Sequence, residues 1–402
     1  MKILLLTDGL FPFQIGGMQK HSIILAQHLA EKGCQLHLVH CGGENYSHKK
    51  MRSLFPSTSW SNIRETVIPF PELDGLPGHY IRENKRYSKQ AYLAIKKEIK
   101  DNNEATFDLV YAQGFTGWYF INERDQGNWK SPVLVNFHGF EMFQKAPSLK
   151  VKAAYVLLKS AVRTIIRKAD YVYSFGGHIH PLLLMEGVKE EQLLLHSNGI
   201  DASWLNDGVP VVNETRKFIF IGRYERRKGV EELSQVLELF SSSEKAFEFE
   251  FIGPIPDNKK VDDPRITYLG EIREELVIQE RLKKADCLVC PSHSEGMPTV
   301  ILEAMASGLA IIATDVGAIS RQVSNNGFLL AQPEVSLIKK SMEKIIDMPA
   351  SDLLEMKANS IQEIKAKFLW TRVIQDKWDD FHTIQQSNSS KSLQREITDS
   401  TH

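Results

Sequence analysis

The chain has 402 residues, of which 42% are hydrophobic and 25% are charged, a composition typical of a globular protein. This length exceeds what one ordinary core holds, and we therefore expect two domains. The formal net charge of -1 argues against a general attraction to phosphate backbones, and we expect no nucleic-acid partner. Four cysteines and only a short apolar run at the N-terminus indicate neither a disulfide framework nor a signal or membrane span. We expect a cytoplasmic protein.

Short apolar runs alternate with amphipathic stretches in the first half of the chain. Lys2–Leu6 and Gln35–His40 predict buried strands, and Gly16–Lys32 predicts a helix that ends at Gly33. The same pattern predicts further strands at 108–111, 132–137 and 171–175. Strand, helix and strand in series predict a parallel sheet that is covered on both faces.

The alternation stops in a polar segment with Gly and Pro and restarts after it. Strands are predicted at 218–221, 247–252, 266–269, 287–290 and 310–313, and helices at 229–240, up to 284 and at 299–307. We divide the chain into a first domain (1–203), a linker (204–215), a second domain (216–368), a helix (369–385) and a disordered tail (386–402). Ligands bind at the carboxyl ends of such strands, so two facing sheets predict a cleft between the domains.

Two loops at predicted strand ends carry features that suit an anion. Gly16 and Gly17 precede a helix, where the backbone can approach a ligand closely, although a plain tight turn explains the pair as well. Residues 222–229 (GRYERRKG) follow a strand and open a helix. Arg223 and Lys228 stand where two cations can hold a diphosphate, whereas we expect Arg226 and Arg227 to be solvated.

The strongest signal is the segment 294–308 (SEGMPTVILEAMASG). A helix is predicted to begin at Thr299 and to end at Gly308. Glu295 lies in the loop before this helix, and Glu303 lies one turn in, on the face of Thr299. Carboxylates accept hydrogen bonds from hydroxyls and backbone N–H groups hold oxygens, which suits a sugar; helix capping explains the spacing equally well.

This segment resembles the E-x7-E signature of the family 4 glycosyltransferases, which have the GT-B fold. The resemblance extends over nearly the whole chain apart from the tail, and is more specific in the second half. It includes Gly16-Gly17-Met18, Asn198-Gly199-Ile200-Asp201, Gly222-Arg223 and Lys228-Gly229. It implies an α/β protein with two facing, doubly wound Rossmann-like domains, and we expect the C-terminal helix to return to the first domain.

Roles in donor binding are carried over from the family residue by residue. The resemblance implies that Arg223 and Lys228 contact the donor diphosphate, while Gly16 and Gly17 bind from the first domain. It implies that Glu303 bonds the ribose hydroxyls. The loop beside Glu295 is implied to line the donor site through Gly296, Met297, Pro298 and Thr299.

The catalytic group implied by the resemblance comprises His138, Glu295, Arg223 and Lys228. Glu295 bonds the transferred sugar, and His138 matches a family histidine at a strand end that faces it. The two cations stabilise the charge on the leaving diphosphate. The sequence has no D-x-D pattern, so we expect no metal and no cofactor.

Three residues depart from the family pattern. Arg321 stands at a position that is often acidic in the family, which puts the usual contact there in doubt. Lys20 and His21 replace commoner residues after the Gly-Gly loop, and acceptor contacts therefore cannot be carried over.

The resemblance implies retaining transfer of a hexosyl group from a nucleoside-diphosphate sugar to a hydroxyl acceptor, in polysaccharide or glycolipid assembly. Two alternatives remain open: a catalytically silent scaffold subunit, which would not hydrolyse a donor, and a GT-B sugar phosphorylase, which would need phosphate and no nucleotide. Residues 145–168 are basic, contain no acid and carry an apolar stripe of Val156, Leu157, Ala161 and Ile165. They predict either an ordinary surface helix or contact with the anionic inner face of a membrane and a lipid-linked acceptor.

Overall fold

The computed structural model describes residues 1–43, 45–72, 78–103, 106–144, 146, 149–206, 208 and 210–399. The first domain contains the strands β1 (Lys2–Leu6), β2 (Gln35–His40), β3 (Ile63–Val67), β4 (Leu109–Gln113), β5 (Val133–Asn136), β6 (Tyr171–Ser174) and β7 (Leu193–Leu195). Its helices are α1 (Gly17–Glu31), α2 (His48–Ser53), α3 (Ser57–Trp60), α4 (His79–Asn102), α5 (Trp118–Asp125), α6 (Leu149–Lys168) and α7 (Ile179–Met185).

The second domain repeats the architecture. It contains the strands β8 (Arg216–Ile221), β9 (Phe247–Ile252), β10 (Ile266–Tyr268), β11 (Cys287–Cys290), β12 (Ala310–Thr314) and β13 (Gly327–Leu330). Its helices are α8 (Val230–Ser241), α9 (Glu275–Lys284), α10 (Thr299–Ala306), α11 (Val335–Asp347) and α12 (Ala350–Glu363), and α13 (Trp370–Asp399) follows.

Both sheets are fully parallel. The strand orders are β3-β2-β1-β4-β5-β6-β7 and β10-β9-β8-β11-β12-β13. Each order reverses beside the first strand of its domain, which is the switch point where doubly wound sheets bind ligands. The central strands are apolar on both sides because helices cover both faces; residues 3–6 of β1, for example, are completely buried. The predicted α/β fold of two Rossmann-like domains is confirmed.

Three strands were missed by the sequence analysis, namely β3, β7 and β13. The sequence of β3 (IRETV) is largely polar, β7 has only three residues, and β13 begins with a glycine. Each lies at or near the edge of its sheet, where fewer neighbours demand an apolar side chain. Periodicity therefore carries little signal in these segments.

The predicted return of the C-terminal helix to the first domain is confirmed. The chain crosses to the second domain after Ile200 and returns to the first domain beside Ile200. Two hydrogen bonds mark this crossing: Ile200 N donates to Phe368 O (2.8 Å), and Trp370 N donates to Ile200 O (3.1 Å). Side chains of α13, including Trp370 and Phe381, pack into one core with Ile3 and other residues of the first domain. A Cβ at Gly199 would lie 2.5 Å from the Trp370 ring, so this crossing needs a glycine.

The end of α13 corrects the expected boundary. The helix continues beyond Gln385 to Asp399, through residues that we expected to be disordered. The segment 386–399 contains neither Gly nor Pro, so its sequence has no helix terminator. No helix among the residues described above is long and apolar enough to cross a membrane.

A buried ion pair joins α12 to the sheet of the second domain. Lys357 Nζ donates to Asp286 Oδ1 (3.0 Å) and to the carbonyl oxygens of Val211 (2.7 Å) and Ala285 (2.9 Å). Asp286 is completely buried and also accepts from Lys217 N (2.9 Å). Removal of one partner of such a pair lowers the free energy of unfolding, because the charge of the other partner stays buried without compensation.

We therefore expect Lys357→Met to lower the free energy of unfolding by about 3 kcal/mol, because it leaves the Asp286 carboxylate without its cation. Chemical denaturation followed by circular dichroism measures the change. Lys365→Met, at an exposed lysine, is the control and should change stability by less than about 0.5 kcal/mol. Equal midpoints for the two variants would contradict this account of the ion pair.

Candidate active site

A cavity of about 660 Å³ lies between the two domains at the carboxyl ends of their strands. This volume is typical of sites that bind small molecules or nucleotides. Most of the predicted site residues line it: Gly17, His138, Arg223, Lys228, Glu295, Met297, Pro298, Thr299 and Glu303. Gly16 and Gly296 lie next to lining residues in the chain but do not themselves line the cavity.

The basic loop after β8 forms a single 3-10 turn, Arg226–Lys228. Successive side chains of such a turn point about 120° apart because it has three residues per turn. Arg226 points away from the cavity and pairs with Glu232 (2.6 Å) and the ring of His293 (2.7 Å). Arg227 and Lys228 line the cavity instead.

The expectation of a solvated side chain is therefore wrong for Arg227, whereas Arg226 lies outside the cavity with a side chain that is 38% exposed. The prediction of one solvated basic loop does not include the periodicity of a three-residue turn, which separates the two side chains. Arg223 behaves differently from its neighbours: its side chain is 72% exposed at the cavity and pairs only with Glu225 (3.0 Å) among the described residues. Glu225 also accepts from Arg227 Nε (2.8 Å), so it links two of the cations.

Glu295 is the counter-ion of this basic loop. Its carboxylate accepts from Lys228 Nζ (2.6 Å), Ser292 Oγ (2.8 Å) and Arg227 Nη1 (3.4 Å). The Glu295 side chain is only 7% exposed, so these contacts compensate a buried charge. Sequence motifs placed Glu295 and Lys228 in one site; the structure adds that they contact each other.

The loop that carries Glu295 is held by the first domain. Gln144 donates through Nε2 to Glu295 O (2.8 Å) and accepts from Glu295 N (3.3 Å). Asn198 Nδ2 donates to Met297 O (2.7 Å). A Cβ at Gly296 would lie 2.3 Å from His138 O, so only a glycine allows the domains to approach this closely.

Glu303 lies one turn into α10, where the Thr299 hydroxyl bonds its carboxylate. Burial raises the pKa of Glu303 to about 7, and the negative Glu275 adds to the rise. The cation of Lys20 and the Thr299 hydroxyl act in the opposite direction. The predicted shared face of Thr299 and Glu303 is confirmed.

Lys20 and His21, two of the departures from the family pattern, both line the cavity from α1. Lys20 Nζ forms an ion pair with Glu275 at the start of α9, so it connects the two domains across the cleft. His21 lies edge-on to His138, with 4.7 Å between the ring centroids. The Cβ position of Gly17, beside them, points into open space.

Arg321, the third departure, serves a different purpose. Its guanidinium donates to Phe175 O (2.6 Å) and His196 O (2.7 Å), at the ends of β6 and β7 in the first domain. Arg321 does not line the cavity. The arginine at this position therefore ties the second domain to the first.

Four cations, four carboxylates and the starts of two helices line the cavity, and Lys20 and Glu275 among them pair with each other. Arg223, Arg227 and Lys228 provide positive charge, and α1 and α10 begin at Gly17 and Thr299, beside the cavity. Such helix ends and cations attract an anion such as a phosphate. Glu303 and backbone groups offer hydrogen bonds to hydroxyls. No group of side chains among the described residues has the composition of a metal site.

The comparison with protein families agrees with this arrangement. The model for "Glycosyltransferase Family 4" matches residues 15–204, and the model for "Glycosyl transferases group 1" matches residues 215–348. Between them they match both domains. The chain belongs to the family 4 group of glycosyltransferases with the GT-B fold.

Among individual relatives, the chain is 35% identical over 127 residues to the putative teichuronic acid biosynthesis glycosyltransferase TuaC of Bacillus subtilis; this match spans 32% of the chain and 31% of TuaC. A match to the uncharacterized glycosyltransferase MJ1069 of Methanocaldococcus jannaschii is 21% identical and spans 93% of the chain and 96% of that protein. The capsular polysaccharide biosynthesis glycosyltransferase CapM of Staphylococcus aureus is 24% identical over 40% of the chain and 43% of CapM.

Solved structures share the fold over nearly the whole chain. Sucrose-phosphate synthase of Thermosynechococcus elongatus superposes with a TM-score of 0.72 at 17% identity and covers 96% of this chain and 99% of its own. Anabaena HepE in complex with UDP and glucose gives a TM-score of 0.65 at 15% identity, with 95% and 100% covered. At these identities the likeness supports the fold alone.

Proposed function

We propose that the chain transfers a hexosyl group, with retention at the anomeric carbon, from a nucleoside-diphosphate sugar to a hydroxyl acceptor in the assembly of a polysaccharide or glycolipid. One observation carries the proposal: Arg227, Lys228 and the exposed Arg223 meet Glu295 and Glu303 in one cavity between the domains. A nucleoside-diphosphate sugar has a diphosphate for the cations and hydroxyls for the carboxylates. Anabaena HepE, which shares the fold, forms a complex with UDP and glucose.

The proposed reaction breaks the bond between the anomeric carbon and the diphosphate oxygen and forms a bond from that carbon to the acceptor oxygen. The acceptor hydroxyl loses its proton, and the nucleoside diphosphate leaves with one more negative charge. In this proposal Arg227 and Lys228, which Glu295 holds in place, and the exposed Arg223 lie beside the position where this charge develops. Preorganised cations bind the transition state more tightly than the donor and so lower the barrier.

The carboxylates have separate roles in this mechanism. Glu303 accepts hydrogen bonds from the ribose hydroxyls, and Glu295 bonds the transferred sugar while it holds Lys228 and Arg227 in place. His138 faces the sugar from the first domain. Since the diphosphate charge is compensated by side chains and helix ends, the proposed mechanism uses neither a metal nor a cofactor.

We also propose that the acceptor is lipid-linked and that α6 contacts an anionic membrane. The predicted apolar stripe divides in the structure: Ala161 and Ile165 are buried in the first domain, whereas Val156 and Leu157 are 63% and 50% exposed. Lys152 is exposed near them, and Met185 at the end of α7 is 79% exposed. Lys145 lies outside the described residues, and the side chain of Lys150 is not described. Exposed apolar and basic side chains together suit the surface of an anionic bilayer.

A thermal-shift screen of nucleotide sugars tests the proposed function. We expect one nucleoside-diphosphate hexose to raise the melting temperature, with a gain of about 2.7 kcal/mol at a hundred times its Kd, in the presence of excess EDTA. The same nucleotide sugar should then support transfer under chelation. Turnover that is abolished by EDTA and restored by Mg²⁺ would contradict metal independence. Phosphate-dependent turnover without a nucleotide would indicate a phosphorylase, and no response to any donor would indicate a scaffold.

Three alanine variants test the basic loop. Lys228→Ala, Arg227→Ala and Arg223→Ala should each lower kcat/KM by about one to two orders of magnitude, largely through kcat, because each charge-assisted contact contributes roughly 1.5–3 kcal/mol to the transition state. Combined variants should lose less than the sum, since all three cations act on one group.

Arg226→Ala is the matched control for these kinetics. It removes the same type of side chain from the same turn, but Arg226 pairs with Glu232 and does not line the cavity. We expect its kcat/KM to stay within about threefold of that of the unmodified protein. A larger loss at Arg226 than at Lys228 would place the diphosphate in another loop.

Sedimentation with phosphatidylglycerol liposomes tests the membrane contact. We expect the protein to sediment at low salt, to be released at high salt, and to lose most binding on Leu157→Glu, which places a carboxylate on the apolar surface. Leu239→Glu is the control, because Leu239 is also 50% exposed but lies on α8 of the second domain. No sedimentation at low salt, or an equal effect of both variants, would contradict the proposal.

A further inference from the structure

Gln113 is a completely buried amide at the carboxyl end of β4, behind the cavity. Its Oε1 lies 2.8 Å from His138 Nε2, and its Nε2 lies 3.1 Å from His21 Nδ1. Both histidines line the cavity, whereas Gln113 does not. One amide therefore bridges two imidazoles that belong to different elements, the end of β5 and α1.

The two hydrogen bonds determine which ring nitrogens carry protons. An amide oxygen only accepts, so His138 must carry its proton on Nε2; an amide N–H only donates, so His21 Nδ1 must hold a lone pair. We propose that Gln113 is a positioning residue that fixes the tautomer of His138, so that His138 Nδ1 offers a lone pair to a hydroxyl of a neutral donor sugar. His138 has no other hydrogen bond within the described part of the chain, which leaves Nδ1 available.

The position of His21 supports this orientation of the amide. With a lone pair on Nδ1, His21 carries its proton on Nε2, which is buried and has no oxygen or nitrogen partner among the described residues. The ring is T-shaped to His138 (4.7 Å) and to His196 (5.4 Å). An N–H group of His21 can point towards the neighbouring aromatic rings. If the Gln113 amide were reversed, His21 would carry its proton on Nδ1, and an unpaired lone pair on Nε2 would lie beside those rings.

Both imidazoles are neutral at physiological pH. Burial lowers the pKa of His138 to about 3, and the nearby Lys377 of α13 adds to this effect. Burial likewise lowers the pKa of His21 well below its usual range. His196 packs against His21, and the charged residues that line the same cavity are Lys20, Asp201, Arg223, Arg227, Lys228, Glu275, Glu295 and Glu303; within the described part of the chain none of them forms a hydrogen bond with His138.

This inference rests on the proposed function and narrows its substrate. A hexosyl and a uronosyl donor differ at C6, so the proposal places the C6 hydroxyl at His138 Nδ1. A neutral imidazole nitrogen accepts a hydrogen bond from that hydroxyl, but it repels the carboxylate of a uronosyl donor, which has no proton to donate. A buried acceptor that is left unpaired also discriminates strongly against the wrong ligand. We therefore expect the site to use a neutral hexosyl donor rather than the matching uronosyl donor.

Nitrogen-15 NMR of the histidine rings tests the tautomer without a substrate. We expect long-range proton–nitrogen correlations in the full-length protein to show His138 as the Nε2–H tautomer at pH 7. In Gln113→Met, which keeps the side-chain length but lacks the acceptor, both tautomers should be populated. An Nδ1–H tautomer or an imidazolium in the unmodified protein would overturn the proposal, as would an unchanged tautomer in Gln113→Met.

A charge variant tests the consequence for catalysis. In Gln113→Glu the carboxylate still accepts from His138 Nε2 but favours the imidazolium, so it raises the pKa of His138. Below that raised pKa the Nδ1 lone pair is protonated. With UDP-glucose as donor, we expect kcat/KM of the variant to begin to fall at a higher pH than that of the unmodified protein, by about tenfold per pH unit below the raised pKa of His138.

The preference for the neutral donor sugar over the uronosyl sugar should also weaken in Gln113→Glu. The unmodified protein should favour UDP-glucose over UDP-glucuronate by at least about tenfold in kcat/KM, and the ratio should shrink in Gln113→Glu below the raised pKa of His138. If another base is identified by the screen, the same pair of sugars on that base is used. Equal pH profiles and ratios in variant and unmodified protein would overturn the proposal. Failure of every nucleotide sugar would instead refute the proposed function, while the NMR result would still decide the tautomer.

Discussion

The contact between the loop at Glu295 and the strand ends of the first domain is the constraint on which the site depends. Gly296 lies against the carbonyl of His138 with no room for a side chain, and Gln144 holds the backbone of Glu295 on both sides. Through this contact a histidine of one domain and a carboxylate of the other line the same cavity. A change in the angle between the domains that breaks this contact would therefore alter the sugar end of the proposed site.

The charge balance of the cavity follows from the same loop. Glu295 is buried and needs a cation, and Lys228 and Arg227 would repel each other without it. The carboxylate therefore preorganises the two cations that the proposed mechanism needs at the diphosphate. A diphosphate that enters beside them competes with Glu295 for the same N–H groups, which couples binding of the phosphates to the position of the carboxylate that bonds the sugar.

Much of the fold follows from local pattern, and the remainder depends on contacts distant in sequence. The strands Gln35–His40, Phe247–Ile252 and Cys287–Cys290 are predicted with their observed bounds because each has at least one largely apolar face. Motifs brought Arg223, Lys228 and Glu295 into one site. The role of Arg227 was missed, because it depends on the phase of a short 3-10 turn. Gln113 and Gln144 carried no sequence signal, since an isolated glutamine gains meaning only from what the fold places beside it.

The three departures from the family pattern share one physical consequence. Lys20 pairs with Glu275, and Arg321 bonds carbonyls of the first domain, so both place a cation on a bond between the domains. His21 joins the buried imidazoles beneath the cavity. The bond at Lys20 lies at the cavity, where Lys20 opposes and Glu275 adds to the raised pKa of Glu303, whereas the bonds of Arg321 lie away from it. A donor whose ribose bonds to Glu303 or Lys20 therefore acts directly on the Lys20–Glu275 ion pair and leaves the hydrogen bonds of Arg321 intact. This favours adjustment of the cleft around a fixed contact at Arg321.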